Sequence, residues 1–126
     1  MKINVYHDEP QIFRVIREEM ESIMKLDGIT LVQSNLNLLH RDGTFVLDMA
    51  IEIDGKAEDE EEGERAYLKV REGVDRIREY MRRRDMREIE IENYSGGGYI
   101  WEGPGSMVNV IFTDSYCIIK AMDYEQ

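Results

Sequence analysis

The chain is poor in the residues that mark disulfide-bonded, zinc-bound and membrane-spanning proteins. Its 126 residues include one cysteine, Cys117, and two histidines. A single thiol cannot close an intrachain disulfide or supply a cysteine pair for zinc, and this usage is typical of a reducing compartment. No apolar run approaches the roughly 18 residues of a membrane helix, and the apolar run at residues 1–10 is too short for a signal peptide. We therefore expect a cytoplasmic protein without a membrane span.

Basic side chains are outnumbered, with 16 Lys and Arg against 27 Asp and Glu and a formal net charge of -11. This excess repels polyanions at long range, which argues against nucleic acid and anionic membranes as partners. Residues 65–87 reverse the balance with nine basic and four acidic side chains. Pairing at i, i+4 along a solvated helix explains this segment, while a face for RNA phosphates or for an acidic partner is the alternative.

Hydrophobic periodicity predicts two helices and six strands. Apolar residues recur at helical spacing from Ile12 to Met24, after a start signal at Asp8 and Pro10, and again from Glu64 to Arg84. Alternation of polar and apolar residues is typical of strands with one covered face. The predicted strands are residues 2–6, 30–40, 44–53, 88–94, 107–112 and 116–122.

This order predicts a two-layer α+β fold. Two helices that are amphipathic on one side can cover one face of an antiparallel sheet. The order βαββαβ is that of the ferredoxin-like split βαβ arrangement, and here a C-terminal β-hairpin follows it. Residues 1–126 are expected to form a single domain. Residues 2–6 are a short strand, and without them the order becomes αββαβββ; residues 30–40 alternate irregularly, which predicts a bulge or an edge position.

Residues 54–64, DGKAEDEEEGE, are predicted to be an acidic, solvated loop. Calcium binding in an EF-hand loop needs acidic or amide ligands at positions one, three and five and glycine at six. Counting from Asp54 places Lys56 at position three and Asp59 at position six. The pattern fails, and no metal or other cofactor is predicted.

Residues 95–106, SGGGYIWEGPGS, contain five of the ten glycines and the only tryptophan. Phosphate-binding loops need a helix after the glycines, with Lys and Ser or Thr in the P-loop case. A strand pattern follows here instead, so we interpret the stretch as a Gly-rich loop. The alternative is a lip that contacts a ligand or partner, since aromatic side chains beside glycines provide contact area. The residues predicted for this contact are Tyr94, Gly97, Gly98, Tyr99 and Trp101.

No catalytic constellation is visible in the remaining residues. His40-Arg41-Asp42 resembles a kinase triplet but lacks the accompanying motifs, and His7 has no partner at zinc spacing. Cys117 lies in an apolar strand, as a buried small hydrophobe would. These observations favour a non-catalytic module that binds another protein, or a copy of itself, through a sheet face or edge. The alternative is a small-molecule binder or enzyme with a pocket near residues 94–101.

Overall fold

The computed structural model describes residues 9–26, 28–39, 43–53, 60–93 and 96–124. These residues form two helices and six strands, and they confirm an α+β fold with an antiparallel sheet. In chain order the elements are α1 (Gln11–Ile23), β1 (Ile29–Leu39), β2 (Thr44–Ile53), α2 (Glu60–Arg83), β3 (Arg87–Ile91), β4 (Gly98–Gly103), β5 (Ser106–Phe112) and β6 (Tyr116–Asp123).

The sheet order is β1-β2-β6-β5-β4-β3, and every neighbouring pair is antiparallel. The predicted ferredoxin-like order is not confirmed, and the sheet order differs from it, because a split βαβ unit has a single strand between the two strands that flank its helix. Here the strands that flank α2, namely β2 and β3, are separated in the sheet by β6, β5 and β4. The chain after α2 instead runs as a four-stranded meander whose last strand pairs with β2.

The cause of this difference is β4, which the sequence analysis interpreted as a loop. Residues 98–103 pair with β3 on one side and β5 on the other. Tyr99 and Trp101 alternate with the half-exposed Ile100 and Glu102, which is the period of a strand. A tight turn at Pro104 and Gly105 then leads directly into β5.

The start of the second helix differs from the expectation, and several predicted features lie outside the described residues. Helix α2 begins at Glu60 rather than Glu64, so part of the predicted acidic loop is helical. Glutamates in a first turn are stabilised by the helix dipole. The predicted strand at residues 2–6, the Asp8 cap and residues 54–59 lie outside the described residues. Strand β1 confirms its expected irregularity, with a register shift between Leu31 and Gln33 and a position at the end of the sheet.

One side of the sheet and one side of each helix form the core. Alternate residues of β2, β4, β5 and β6 pack in one buried cluster with residues of α1 and α2. We call this side of the sheet the core face; Phe112, Cys117 and Ile119 on it are fully buried. The intervening residues form the outer face, and most of them are half-exposed. The two helices pack closely at Gly73, where a Cβ atom would lie 3.1 Å from Met20 Cε.

Candidate functional site

The aromatic residues predicted to contact a ligand lie on the core face. Trp101 is fully buried, Tyr99 is 8% exposed, and their rings stack with centroids 5.3 Å apart. Trp101 Nε1 donates a hydrogen bond of 3.0 Å to Glu88 Oε1 on β3. Tyr94 lies outside the described residues. The tryptophan ring is therefore part of the packed interior and presents no surface to solvent.

A charged cluster closes around these two rings. Arg78 on α2 donates two hydrogen bonds of 2.8 Å to the Glu88 carboxylate, one from Nε and one from Nη2. Its guanidinium also stacks over the Tyr99 ring, 4.5 Å from the centroid. The hydrogen bonds from Arg78 hold the pKa of Glu88 at about 2, and those to Glu88 raise the pKa of Arg78. Because the two charges are matched by direct hydrogen bonds, the cluster fastens α2 to the sheet.

The two glycines predicted for the contact are required by the backbone. Gly97 has φ of 76°, and its N–H donates a 2.8 Å hydrogen bond to Asn93 Oδ1. A Cβ at Gly97 would lie 2.4 Å from the Ile91 carbonyl oxygen, and one at Gly98 would lie 2.1 Å from that of Val110. The absence of a side chain thus permits close approach of neighbouring strands.

The cavities of the described region are shallow. A depression of about 150 Å³ lies beside the predicted contact, between Arg71, Gly98 and Tyr99. It is below the roughly 300–1,000 Å³ of most small-molecule sites. A groove of about 400 Å³ lies at the start of α2, with Ile53 and Leu68 in its wall. Its other lining side chains are carboxylates and Tyr67.

The described ranges also contain no candidate site for metal binding or for a reactive thiol. No group of three or more His, Cys, Asp or Glu side chains there is placed to hold a metal ion. Burial raises the pKa of the Cys117 thiol to about 12. A thiol that remains protonated at neutral pH is a poor nucleophile.

The outer face of the sheet is apolar over most of its width. Strand pairing places one set of side chains from β2, β6, β5, β4 and β3 on this face. Most of these side chains are half-exposed, and those of the helices pack with the opposite set. The apolar members of the outer face are Val46, Ala50, Met122, Ile118, Met107, Ile111, Ile100, Ile89 and Ile91.

Strand β3 shows this arrangement most clearly, because its alternation is inverted. The sequence Glu88-Ile89-Glu90-Ile91 directs both glutamates toward α2, where Arg78 donates hydrogen bonds to each. Both isoleucines consequently point to the outer face. The Glu88 side chain is 18% exposed against Arg78, whereas the Glu90 side chain on the same side is 63% exposed. Isoleucines on the opposite side are unusual for a sheet whose outer face meets only water.

The charges of the outer face nearly balance and come in opposed neighbours. Asp48 pairs in register with Lys120, and Arg87 pairs in register with Glu102. Glu52 is the remaining carboxylate on the outer face of β2. Within the described residues, the side chains of neither opposed pair close to an ion pair. The face therefore carries little of the acidic excess of the chain.

One polar atom at the centre of this face lacks a partner. Asn109 Oδ1 is buried by its neighbours and accepts no hydrogen bond from the described residues. Such an orphan acceptor costs about 1–3 kcal/mol. It lies in register with Lys120 on β6 and with Ile100 on β4.

The interaction predicted from the sequence was through a sheet face or edge, and that prediction did not include the isoleucines of the outer face. The signal was present in β5 and β6, where Ile111-Phe112 and Ile118-Ile119 are consecutive apolar pairs. Consecutive apolar residues in a strand place one on each face, as in strands that are covered on both sides. Comparison with protein-family models, curated proteins and solved structures finds no match to this chain. Among the described residues, no helix has the length and apolar character to cross a membrane.

Proposed function

We propose that this protein is a non-catalytic interaction module that binds another protein chain through the outer face of its sheet. The observation that carries the proposal is the inversion of β3, which places Ile89 and Ile91 outward beside Ile100, Ile111 and Ile118. An apolar side chain left in water forgoes about 25 cal/mol per Å² of surface that a partner would bury. The proposal takes both helices to cover the core face, in the two-layer arrangement expected from the sequence.

The extent of the apolar surface supports this function. Five strands at a spacing of about 4.8 Å give a width of about 20 Å, and three rows of outward residues add about 15–20 Å of height. About two thirds of the resulting area of about 300–400 Å² is apolar, because Asp48, Lys120, Asn109, Glu102 and Arg87 lie in the same rows. Contiguous apolar patches of a few hundred Å² on monomers are often functional. Methionine, which the outer face presents at Met107 and Met122, is also enriched at the centre of interfaces.

A matched pair of photocrosslinking sites tests the proposal. Tyr116 lies on the outer face opposite Glu52, and Tyr80 lies on α2; both tyrosines are half-buried. A photoreactive phenylalanine derivative at position 116 is expected to form protein adducts in an extract of the source cells. The same derivative at position 80 is expected to form none at those masses, as read by electrophoresis and mass spectrometry.

The substitution Ile118→Asp supplies the second arm of this experiment. A carboxylate in the centre of the outer face should remove the adducts formed at position 116, because it would be buried without a partner. Circular dichroism shows whether the substituted chain remains folded. Absence of adducts at position 116, or identical adducts from both positions, would refute an interaction through the outer face.

A further inference from the structure

We infer that the partner of the outer face is a second copy of this chain, related to the first by a two-fold axis. The inference rests on the proposed function and names its partner. In a two-fold interface the same patch is used by both copies, so the patch must be complementary to itself. The outer face meets this condition in charge and in extent.

Charge complementarity is the first argument. The opposed neighbours Asp48 and Lys120, and likewise Arg87 and Glu102, present both signs close together on one surface. A two-fold axis that runs between Asp48 and Lys120 brings the positive member of this pair in one copy to the negative member in the other, and the reverse. Neither pair forms an ion pair among the described residues, so these charged groups remain available for contacts between copies.

The position of the acidic excess is the second argument. A basic partner would be drawn to carboxylates, but those of the first turn of α2, Glu60, Glu61 and Glu62, belong to a helix outside the outer face. The outer face itself offers an almost neutral surface. At physiological ionic strength the Debye length is about 8 Å, so acidic groups beyond that distance oppose the approach of a second copy only weakly.

The area of the whole face is the third argument. Six strands at about 4.8 Å spacing and about seven residues of about 3.4 Å each cover a sheet of roughly 24 by 24 Å. The flat area of about 580 Å² is at the lower end of the roughly 600–1,000 Å² per partner of standard interfaces. Two such sheets pack face to face about 10 Å apart, which would bury the outer isoleucines of both copies.

Sedimentation equilibrium between about 1 and 300 µM tests the inference directly. The unchanged chain is expected to approach twice its mass of 14.8 kDa as concentration rises. Ile111→Asp, which alters both copies, should raise the dimer dissociation constant about 100-fold, which corresponds to at least 1.4 kcal/mol at each of two sites. Leu68→Asp is the matched control; Leu68 is 58% exposed on α2, and its substitution should leave the constant unchanged.

A charge exchange tests the self-complementarity separately. Asp48→Lys places cations on both copies and should weaken the dimer about 10-fold. The double substitution Asp48→Lys with Lys120→Asp exchanges the signs and should restore the constant to within about threefold. Failure of the exchange to restore binding, while Asp48→Lys weakens it, would refute the proposed contact between these residues of the two copies.

Isoleucine methyl NMR distinguishes failure of this inference from failure of the proposed function. With a soluble paramagnetic gadolinium chelate, methyls of the core face should be protected at every concentration, and Ile12 and Ile77 provide the helix controls. The outer-face methyls should be broadened in dilute protein and protected in concentrated protein. The five outer-face reporters are Ile89, Ile91, Ile100, Ile111 and Ile118.

Each other outcome is decisive. A monomer at all concentrations with broadened outer-face methyls would refute the inference that the partner is a second copy. The adducts formed at position 116 would then decide whether the proposed function holds. A monomer whose outer-face methyls are protected even when dilute would show that the chain covers its own face. That result would overturn both the inference and the proposed function.

Discussion

The two faces of the sheet differ in what covers them, although the same strands supply both. Ile119 on the core face is fully buried against the helices, whereas its neighbour Ile118 on the outer face is half-exposed. In β3 the contrast is reversed in polarity, since Glu88 faces α2 and Ile89 faces outward. Apolar character alone therefore does not tell which face of this sheet is covered. The groups that contact each face decide which one is covered. The hydrogen bonds from Arg78 allow Glu88 to lie on the core face.

The largest expected effect comes from truncating the same residue type on the two faces. Ile119→Ala removes a buried side chain and should reduce the free energy of unfolding by about 2–5 kcal/mol. Ile118→Ala should cost about 1 kcal/mol or less in the monomer, because its side chain is already partly in water. Denaturant unfolding of both variants at low protein concentration measures the difference.

The same pair of variants sharpens the contrast when the protein concentration is raised. At high concentration Ile118→Ala should lose additional stability, because association stabilises the folded state only as far as the interface forms. The loss for Ile119→Ala should stay nearly constant. Equal losses for both variants in dilute protein would mean that the two faces are covered alike, and the distinction drawn between them would be wrong.

Much of the fold was predictable because local patterns determine its elements. The spacing of Ile12, Ile16 and Met20 predicts α1, and the alternation in β2 predicts a strand. The strand order was not predictable, since it depends on pairing between distant segments such as β2 and β6. Strand β4 was missed because Gly98 and Gly103 at its ends are typical of loops.

The candidate surface was only partly visible in the sequence for a related reason. Alternation separates the residues of a strand into two sets but does not say which set faces the helices. In β3 the apolar set would be assigned to the core, yet Arg78 on α2 donates hydrogen bonds to Glu88 and Glu90 and reverses the assignment. Likewise, nothing in the sequence of Tyr99 and Trp101 shows that Glu88 receives the indole N–H. The prediction of binding through a sheet face stays a prediction, and the strand register shows which isoleucines lie on that face.

The second expected effect breaks the inverted polarity of β3. Glu88→Gln removes the charge that accepts two hydrogen bonds from Arg78 and one from Trp101. At pH 7 this should cost about 1–3 kcal/mol, since hydrogen bonds to charged groups are the stronger ones. Because the pKa of Glu88 is about 2 in the folded chain and about 4.5 unperturbed, its contribution is present above pH 4.5.

That contribution should then disappear as the pH falls from about 4.5 to about 2, through the folded pKa. The stabilities of the unchanged chain and of Glu88→Gln should therefore converge over this window, as measured by urea unfolding. Glu102→Gln is the control, because Glu102 lies on the outer face and makes no ion pair among the described residues. A difference between Glu88→Gln and the unchanged chain that is the same at pH 7 and pH 2 would contradict the assigned role of the carboxylate.

The smallest expected effect leaves the fold intact and compares the methionines of the two faces. Met107 and Met122 pair in register on the outer face, whereas Met20, Met49 and Met81 are at most 1% exposed in the core. Oxidation by dilute hydrogen peroxide depends on access to the sulfur, so Met107 and Met122 should be oxidised well before the core methionines, as followed by peptide mass spectrometry. Concentrating the protein should slow the oxidation of these two residues and leave the core residues unchanged, since only the outer face is covered by association. If Met49 were oxidised as fast as Met122, the core face would be as open as the outer face, and the difference in coverage between the two faces would not hold.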